Sequence, residues 1–229
     1  MSEIKYVKVR DTRQAGRFVA ERLLRRLQSG MKVFWLIPGG SAAEVAMEAA
    51  AIIDGSGLGD LLTVSLTDER FGPDGHDDSN WHQLQEKGFK LTGAQFRPIL
   101  SGQSLESTAL SYGRMLDSEL SSTGYSLALG GMGADGHIFG LKPNSPSVQS
   151  RDMAEGYPWD DFERLTATGE TVKRLDEIIM YVVGADKHRQ LERLGQDLGP
   201  GEQPAQLLKT AKRVTILNDW KGENYETDS

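Results

Sequence analysis

Asp135-Gly136-His137 joins an acid and an imidazole two positions apart in a glycine-rich turn, just past an apolar run of strand length. An imidazole titrates near neutrality, so it can take a proton from water or a hydroxyl at physiological pH. A lone histidine is more often structural, but the other three have weaker settings. His76 lies in an acidic loop, while His82 and His188 fall on expected helices. No H-x-x-x-H or H-E-x-x-H pattern occurs, so a protein-bound catalytic metal is not indicated.

Three further groups could share a cleft with that histidine. Pro38-Gly39-Gly40-Ser41 follows an apolar run and precedes an alanine- and glutamate-rich segment. Its glycines let backbone approach a ligand, and free N–H groups at a helix start favour phosphate. An ordinary strand-to-helix turn reads the same way locally. Ser41 and Glu44 have the spacing of a capping box. Thr67-Asp68-Glu69-Arg70 closes another apolar run, where an arginine could fork onto phosphate or a carbonyl and a carboxylate could orient a base. A local ion pair beside a solvated acidic loop is the plain alternative. The acids that follow miss calcium-loop spacing. Arg164 and Lys187 stand at element ends that could border the same cleft, although each residue type is most often a surface charge.

Gly131-Met132-Gly133-Ala134-Asp135-Gly136 matches G-x-G-x-x-G after a strand, half of a dinucleotide fingerprint. The other half requires a helix opening there. Pro143 and Pro146 interrupt within about three turns, and no strand ends in an acid about 20 residues on, so dinucleotide binding is rejected.

The elements that must position these groups are legible as period. Apolar runs of strand length occur at Ile4–Val9, Val33–Ile37, Leu61–Leu66, Tyr125–Leu129, Leu165–Thr168, Ile178–Val183 and Val214–Leu217. Several are apolar throughout, as strands buried on both faces are. Helical period marks Arg13–Gln28, Ala42–Ile53, Ser104–Leu120 and Ala185–Leu194. The alternation predicts an α/β fold, a doubly wound and mainly parallel sheet flanked by helices on both faces. Such folds bind ligands beyond the carboxyl ends of their strands, where PGGS, TDER, GGMGADGH and GADK all fall. The Pro/Gly/acid-rich stretch Ser145–Asp161 is expected to be a surface loop, and residues 1–229 are expected to form one domain.

Composition narrows the function. The 229 residues are 38% hydrophobic, enough for a large core. No run approaches the roughly 18 to 20 apolar residues of a membrane span, and MSEIKYVKVRDTRQ lacks a secretory signal's apolar stretch, so a cytoplasmic address is expected. Without cysteine, disulfides and thiolate chemistry are excluded. A net charge of −7 disfavours nucleic acid and anionic lipid, and an anionic substrate would need a local positive pocket.

PGGS, DERFGPDGHDDSN, LGGMGADGH, ERLTAT and VVGADKHRQL occur in the order and approximate spacing of the 6-phosphogluconolactonase family, which this chain resembles from about Val33 to Leu217. That family is similar in fold to glucosamine-6-phosphate deaminases and ribose-5-phosphate isomerases. The resemblance implies that His137 is the general base, that Asp68 supports it, and that Gly39, Gly40, Ser41, Arg70, Arg164 and Lys187 hold the substrate, chiefly its phosphate. It implies hydrolysis of 6-phosphogluconolactone to 6-phosphogluconate in the pentose phosphate pathway, with no metal or organic cofactor. Two departures stand out. Ala42-Ala43 replaces the family's Thr-Pro, and Ile138-Phe139-Gly140-Leu141-Lys142-Pro143 replaces T-A-S-L-F-P. Ile138 matches the deaminase pattern DGHIAFNE, but the glutamate ending that pattern is Lys142 here. A sugar-phosphate isomerase or deaminase, and a noncatalytic sugar-phosphate sensor, are the alternative readings.

Overall fold

The structure, a computed structural model, describes residues 3–160 and 162–226. Its strands are β1 (Ile4–Lys8), β2 (Val33–Ile37), β3 (Leu62–Leu66), β4 (Asp68–Arg70), β5 (Gln95–Arg97), β6 (Tyr125–Gly131), β7 (Ala154–Pro158), β8 (Glu163–Ala167), β9 (Glu177–Val182), β10 (Val214–Asn218) and β11 (Glu223–Asn224). Its α-helices are α1 (Thr12–Leu27), α2 (Ala43–Asp54), α3 (Asn80–Glu86), α4 (Leu105–Ser122), α5 (Gly169–Arg174) and α6 (Ala185–Leu194). No helix among the described residues is long and apolar enough to cross a membrane.

Eight strands form one sheet in the order β11-β1-β10-β9-β6-β2-β3-β5, every neighbouring pair parallel. All five residues of β2 and of β10 are buried. Successive strand side chains point to opposite faces, so both faces of the sheet are covered there, which is why VFWLI carries no polar alternation. From β2 the chain steps through β3 to β5 at one edge, whereas β6 is followed by β9 and β10 on the other side. The order therefore reverses between β2 and β6, where a doubly wound sheet opens its ligand crevice.

One expected strand lies elsewhere. Of the run Leu165–Thr168, the first three residues belong to β8, which sits in a separate antiparallel sheet ordered β4-β8-β7, and Thr168 caps α5. Arg164 lies within that strand rather than before it. Thr67 is the crossing point between sheets. Its amide donates to the Ile37 carbonyl of β2 at 2.9 Å, and its carbonyl accepts from the Ala167 amide of β8 at 2.9 Å. The charged triplet that follows can thus leave the doubly buried sheet while keeping its backbone paired.

The stretch from Ser145 is likewise more than a loop. It contains a 3₁₀ turn at Pro146–Val148 and the strand β7, while Asp161 lies outside the described residues. Tyr157, 2% exposed, donates its hydroxyl to the Gly140 carbonyl and ties this small sheet to the segment after His137.

Candidate active site

β6 ends in Gly130-Gly131, and the chain turns back on itself rather than opening a helix. The Gly133 amide donates to the His137 carbonyl at 3.0 Å, the Gly136 amide donates to the Gly133 carbonyl at 3.0 Å, and Met132 bridges to Ile138. This tight return is what the dinucleotide-like glycines serve. Gly136 takes a left-handed φ of +84°, and a Cβ on Gly133 would sit 2.2 Å from both Cε1 and Nδ1 of His137. Only a glycine there lets the imidazole lie against the backbone. Phe139 holds a φ of +51°, rare for a bulky side chain, and its ring packs over Gly130.

The imidazole has a defined partner. His137 Nδ1 lies 2.5 Å from Asp135 Oδ1, which also accepts the His137 amide at 3.1 Å. A carboxylate so close requires Nδ1 to carry the proton, which leaves the Nε2 lone pair as the acceptor. Nε2 makes no hydrogen bond among the described residues. Half-burial works to raise the Asp135 pKa, but the bond and charge of His137, with Lys142 adding to them, outweigh it and hold the carboxyl well below the aspartate range. Lys142 Nζ stands 3.2 Å from His137 Nδ1 and 3.4 Å from Asp135 Oδ2.

β4 supplies the opposite wall. Asp68 and Arg70 alternate with Glu69, which is 1% exposed. Glu69 Oε1 accepts the amides of Arg70 (2.7 Å) and Asn80 (2.6 Å), and Oε2 accepts the Ser79 hydroxyl (2.9 Å) and the Trp81 amide (3.0 Å). Burial pushes its carboxyl up, while these four donors favour the charged form and restrain the shift. Glu69 thereby clamps the start of α3 to β4. Asn80 Nδ2 in turn donates to the Asp68 carbonyl at 3.0 Å, and a Cβ on Gly39 would sit 2.0 Å from Asn80 Oδ1. The PGGS turn must be glycine at that point because the Asn80 amide lies against it. Asp68 Oδ1 accepts the Thr67 hydroxyl at 2.7 Å.

The capping box expected at Ser41 and Glu44 does not form. Gly40 adopts a φ of +62° and opens a 3₁₀ turn over Gly40–Ala42, so α2 starts two residues beyond Ser41, with Ala42 as an N-cap that makes no side-chain bond. Ser41 is left exposed at the cleft. Lys187 is presented by the first turn of α6, whose entry is held by Asp219. Oδ2 of that aspartate accepts the Gly184 amide at 3.2 Å, and Oδ1 meets His188 Nε2 at 2.9 Å.

These pieces enclose a cavity of about 270 Å³ at the junction of β2 and β6. Gly39, Gly40, Ser41, Asp68, Arg70, His137, Arg164 and Lys187, all of the residues expected from sequence, line it together. Asn80 and Lys142 join them without having been expected to. Four cationic side chains (Arg70, Lys142, Arg164, Lys187) face one lining carboxylate, Asp68. The pocket is thus locally positive in a chain of net charge −7, as an anionic ligand requires.

The family model for glucosamine-6-phosphate isomerases/6-phosphogluconolactonase matches residues 10–217. The chain belongs to this family. A 6-phosphogluconolactonase of Caulobacter vibrioides is 32% identical, with 69% of this chain and 72% of the relative covered. Among solved structures, a 6-phosphogluconolactonase from Thermotoga maritima aligns with a TM-score of 0.77 at 19% identity, covering 94% of this chain and 99% of the other. A monomeric glucosamine-6-phosphate deaminase aligns with a TM-score of 0.78 at 18% identity, covering 93% and 96%. Lactonase and deaminase structures fit equally well, so the shared fold leaves the choice of reaction to the site.

Proposed function

We propose that this protein hydrolyses 6-phospho-D-glucono-1,5-lactone to 6-phosphogluconate, with His137 as general base. The observation that carries the proposal is the Asp135–His137 pair sharing one cleft with Arg70, Arg164 and Lys187. A lactone carbonyl is already electrophilic, so the protein need only activate water, hold the anion and return a proton.

In this reading the substrate's phosphate sits among the cationic side chains and the Gly39–Ser41 amides. His137 Nε2 takes a proton from water as the water oxygen bonds to C1, and the carbonyl electrons move onto its oxygen. Collapse of that tetrahedral intermediate breaks the bond between C1 and the ring oxygen. The imidazolium then protonates the departing oxygen, giving the open-chain acid, which ionises. Asp135 keeps Nδ1 protonated throughout, and Asp68 orients the sugar or the water. Neither metal nor organic cofactor enters these steps.

Lys142 supports the lactonase reading over the deaminase one. It puts a cation beside His137 where the deaminase pattern carries a glutamate. The test is to generate the lactone in situ with glucose-6-phosphate dehydrogenase and follow its decay. The wild-type chain should accelerate it, and His137→Ala should lose about 10²–10⁴-fold of that acceleration. Equal, slow decay with both proteins would reject the proposal, and ammonia release from glucosamine-6-phosphate would favour the deaminase.

A further inference from the structure

Asp135 poses a difficulty for a histidine that must act as a base. A carboxylate 2.5 Å from Nδ1 stabilises the imidazolium, and a ring protonated on both nitrogens cannot accept a proton. The other charged groups about the cleft are Asp68 and Arg70 from β4, Arg164 from β8 and Lys187 from α6. α6 also contributes Gln190, whose neutral amide donates to the Ala134 carbonyl at 2.7 Å. Lys142 is the cation in direct contact with the pair. Its side chain is only 15% exposed, so water screens its charge poorly.

We propose that Lys142 is a positioning residue that keeps His137 in its neutral, proton-accepting form by offsetting the charge of Asp135. The geometry restricts how it can act. Nδ1 cannot donate to Asp135 and accept from Lys142 at once, and the carboxylate is the nearer partner, at 2.5 Å against 3.2 Å. Lys142 therefore acts through its charge. Protonating Nε2 would leave two cations 3.2 Å apart, while the ammonium also draws on Asp135 Oδ2 at 3.4 Å. Asp135 fixes the tautomer and Lys142 removes the side effect of doing so. The inference builds on His137 being the base, and it accounts for a lysine where a resembling pattern has an acid.

The experiment is an NMR titration of the His137 ring in the ligand-free full chain, its signal assigned by its loss in His137→Gln. Lys142→Met should raise the midpoint by about one pH unit, and Lys142→Gln should do the same with a polar side chain in place of the thioether. Lys142→Arg keeps the charge and should stay within about 0.3 unit of wild type. The acid limb of kcat/KM for lactone decay should move with the midpoints. A midpoint unmoved in the two neutral variants, or raised equally in Lys142→Arg, overturns the inference. The titration needs no substrate, so it stays decisive if the lactonase proposal fails.

Discussion

Arg70 and Arg164 are direct partners in the antiparallel pairing of β4 with β8, and both line the cleft. Like charges at opposed positions of an antiparallel pair repel unless something compensates. Arg70 donates to the Asp78 carbonyl at 3.0 Å and lies 5.3 Å over the Phe162 ring. Arg70 and Arg164 line the cleft with Lys142 and Lys187, so an anion bound there would meet cations from β4, β8, α6 and the turn after His137. Inorganic phosphate should therefore raise the melting temperature of the wild-type chain. Arg70→Gln should abolish most of that rise and raise KM about tenfold, a loss of roughly 1.4 kcal/mol in binding, with kcat changed much less. An unchanged KM would remove Arg70 from the phosphate site.

Gly133 tests whether the turn exists to seat the imidazole. The fold around it needs no left-handed conformation at that residue, so alanine is tolerable to the backbone itself. The added methyl would fall 2.2 Å from the ring, however, and the ring must move. Gly133→Ala should keep its circular dichroism and melt cooperatively, yet lose at least about 10²-fold in kcat, comparable to removing the base. Activity within a few-fold of wild type would mean the catalytic geometry does not depend on this seat.

The sheet and the main cluster of site residues were legible because both depend on local pattern. Continuous apolar runs such as Val33–Ile37 mark buried parallel strands, and glycine-rich or charged segments at their carboxyl ends mark the cleft. What escaped depends on contacts distant in sequence. β4 is three residues of Asp, Glu and Arg, and shows no apolar period. Its strand character comes from pairing with residues about a hundred positions away. Asn80 starts a short helix, and its role follows from Gly39 lying against its amide. Lys142 could be singled out by position, but its approach to His137 requires the turn at Phe139 and Gly140 to be built first. Glu69 reads as a surface acid within DER until its four donors are seen around it.

Those donors make Glu69 a stability determinant with a sharp substitution. Glutamine conserves shape but replaces one acceptor oxygen by a donor, and three of the four groups it meets are main-chain amides that can only donate. At least one buried amide would lose its partner, at a cost of about 1–3 kcal/mol. For a chain of this length that corresponds to a melting temperature lower by roughly 3–10 °C. Because Glu69 clamps α3 to β4, KM should rise as well, through Asn80 and Arg70. A thermal scan with no shift would show the clamp to be dispensable.

Asp135→Asn separates the carboxylate's charge from its hydrogen bond, since the amide oxygen can still accept from Nδ1. In the folded chain Asp135 titrates below the ordinary aspartate value of 3.8, so it favours the folded state wherever its folded-state carboxyl is ionised. That contribution is fully present above about pH 4 and is lost as pH falls through the depressed folded value. The difference in melting temperature between wild type and Asp135→Asn should thus narrow below pH 4, as the carboxylate takes up a proton. Activity should respond in the opposite sense to the neutral Lys142 variants. Without the carboxylate the imidazolium is less stable, so the acid limb of kcat/KM moves to lower pH while kcat falls about 10- to 100-fold for want of a strong base. An acid limb moving upward in Asp135→Asn would mean that the carboxylate does not act on the ring through its charge.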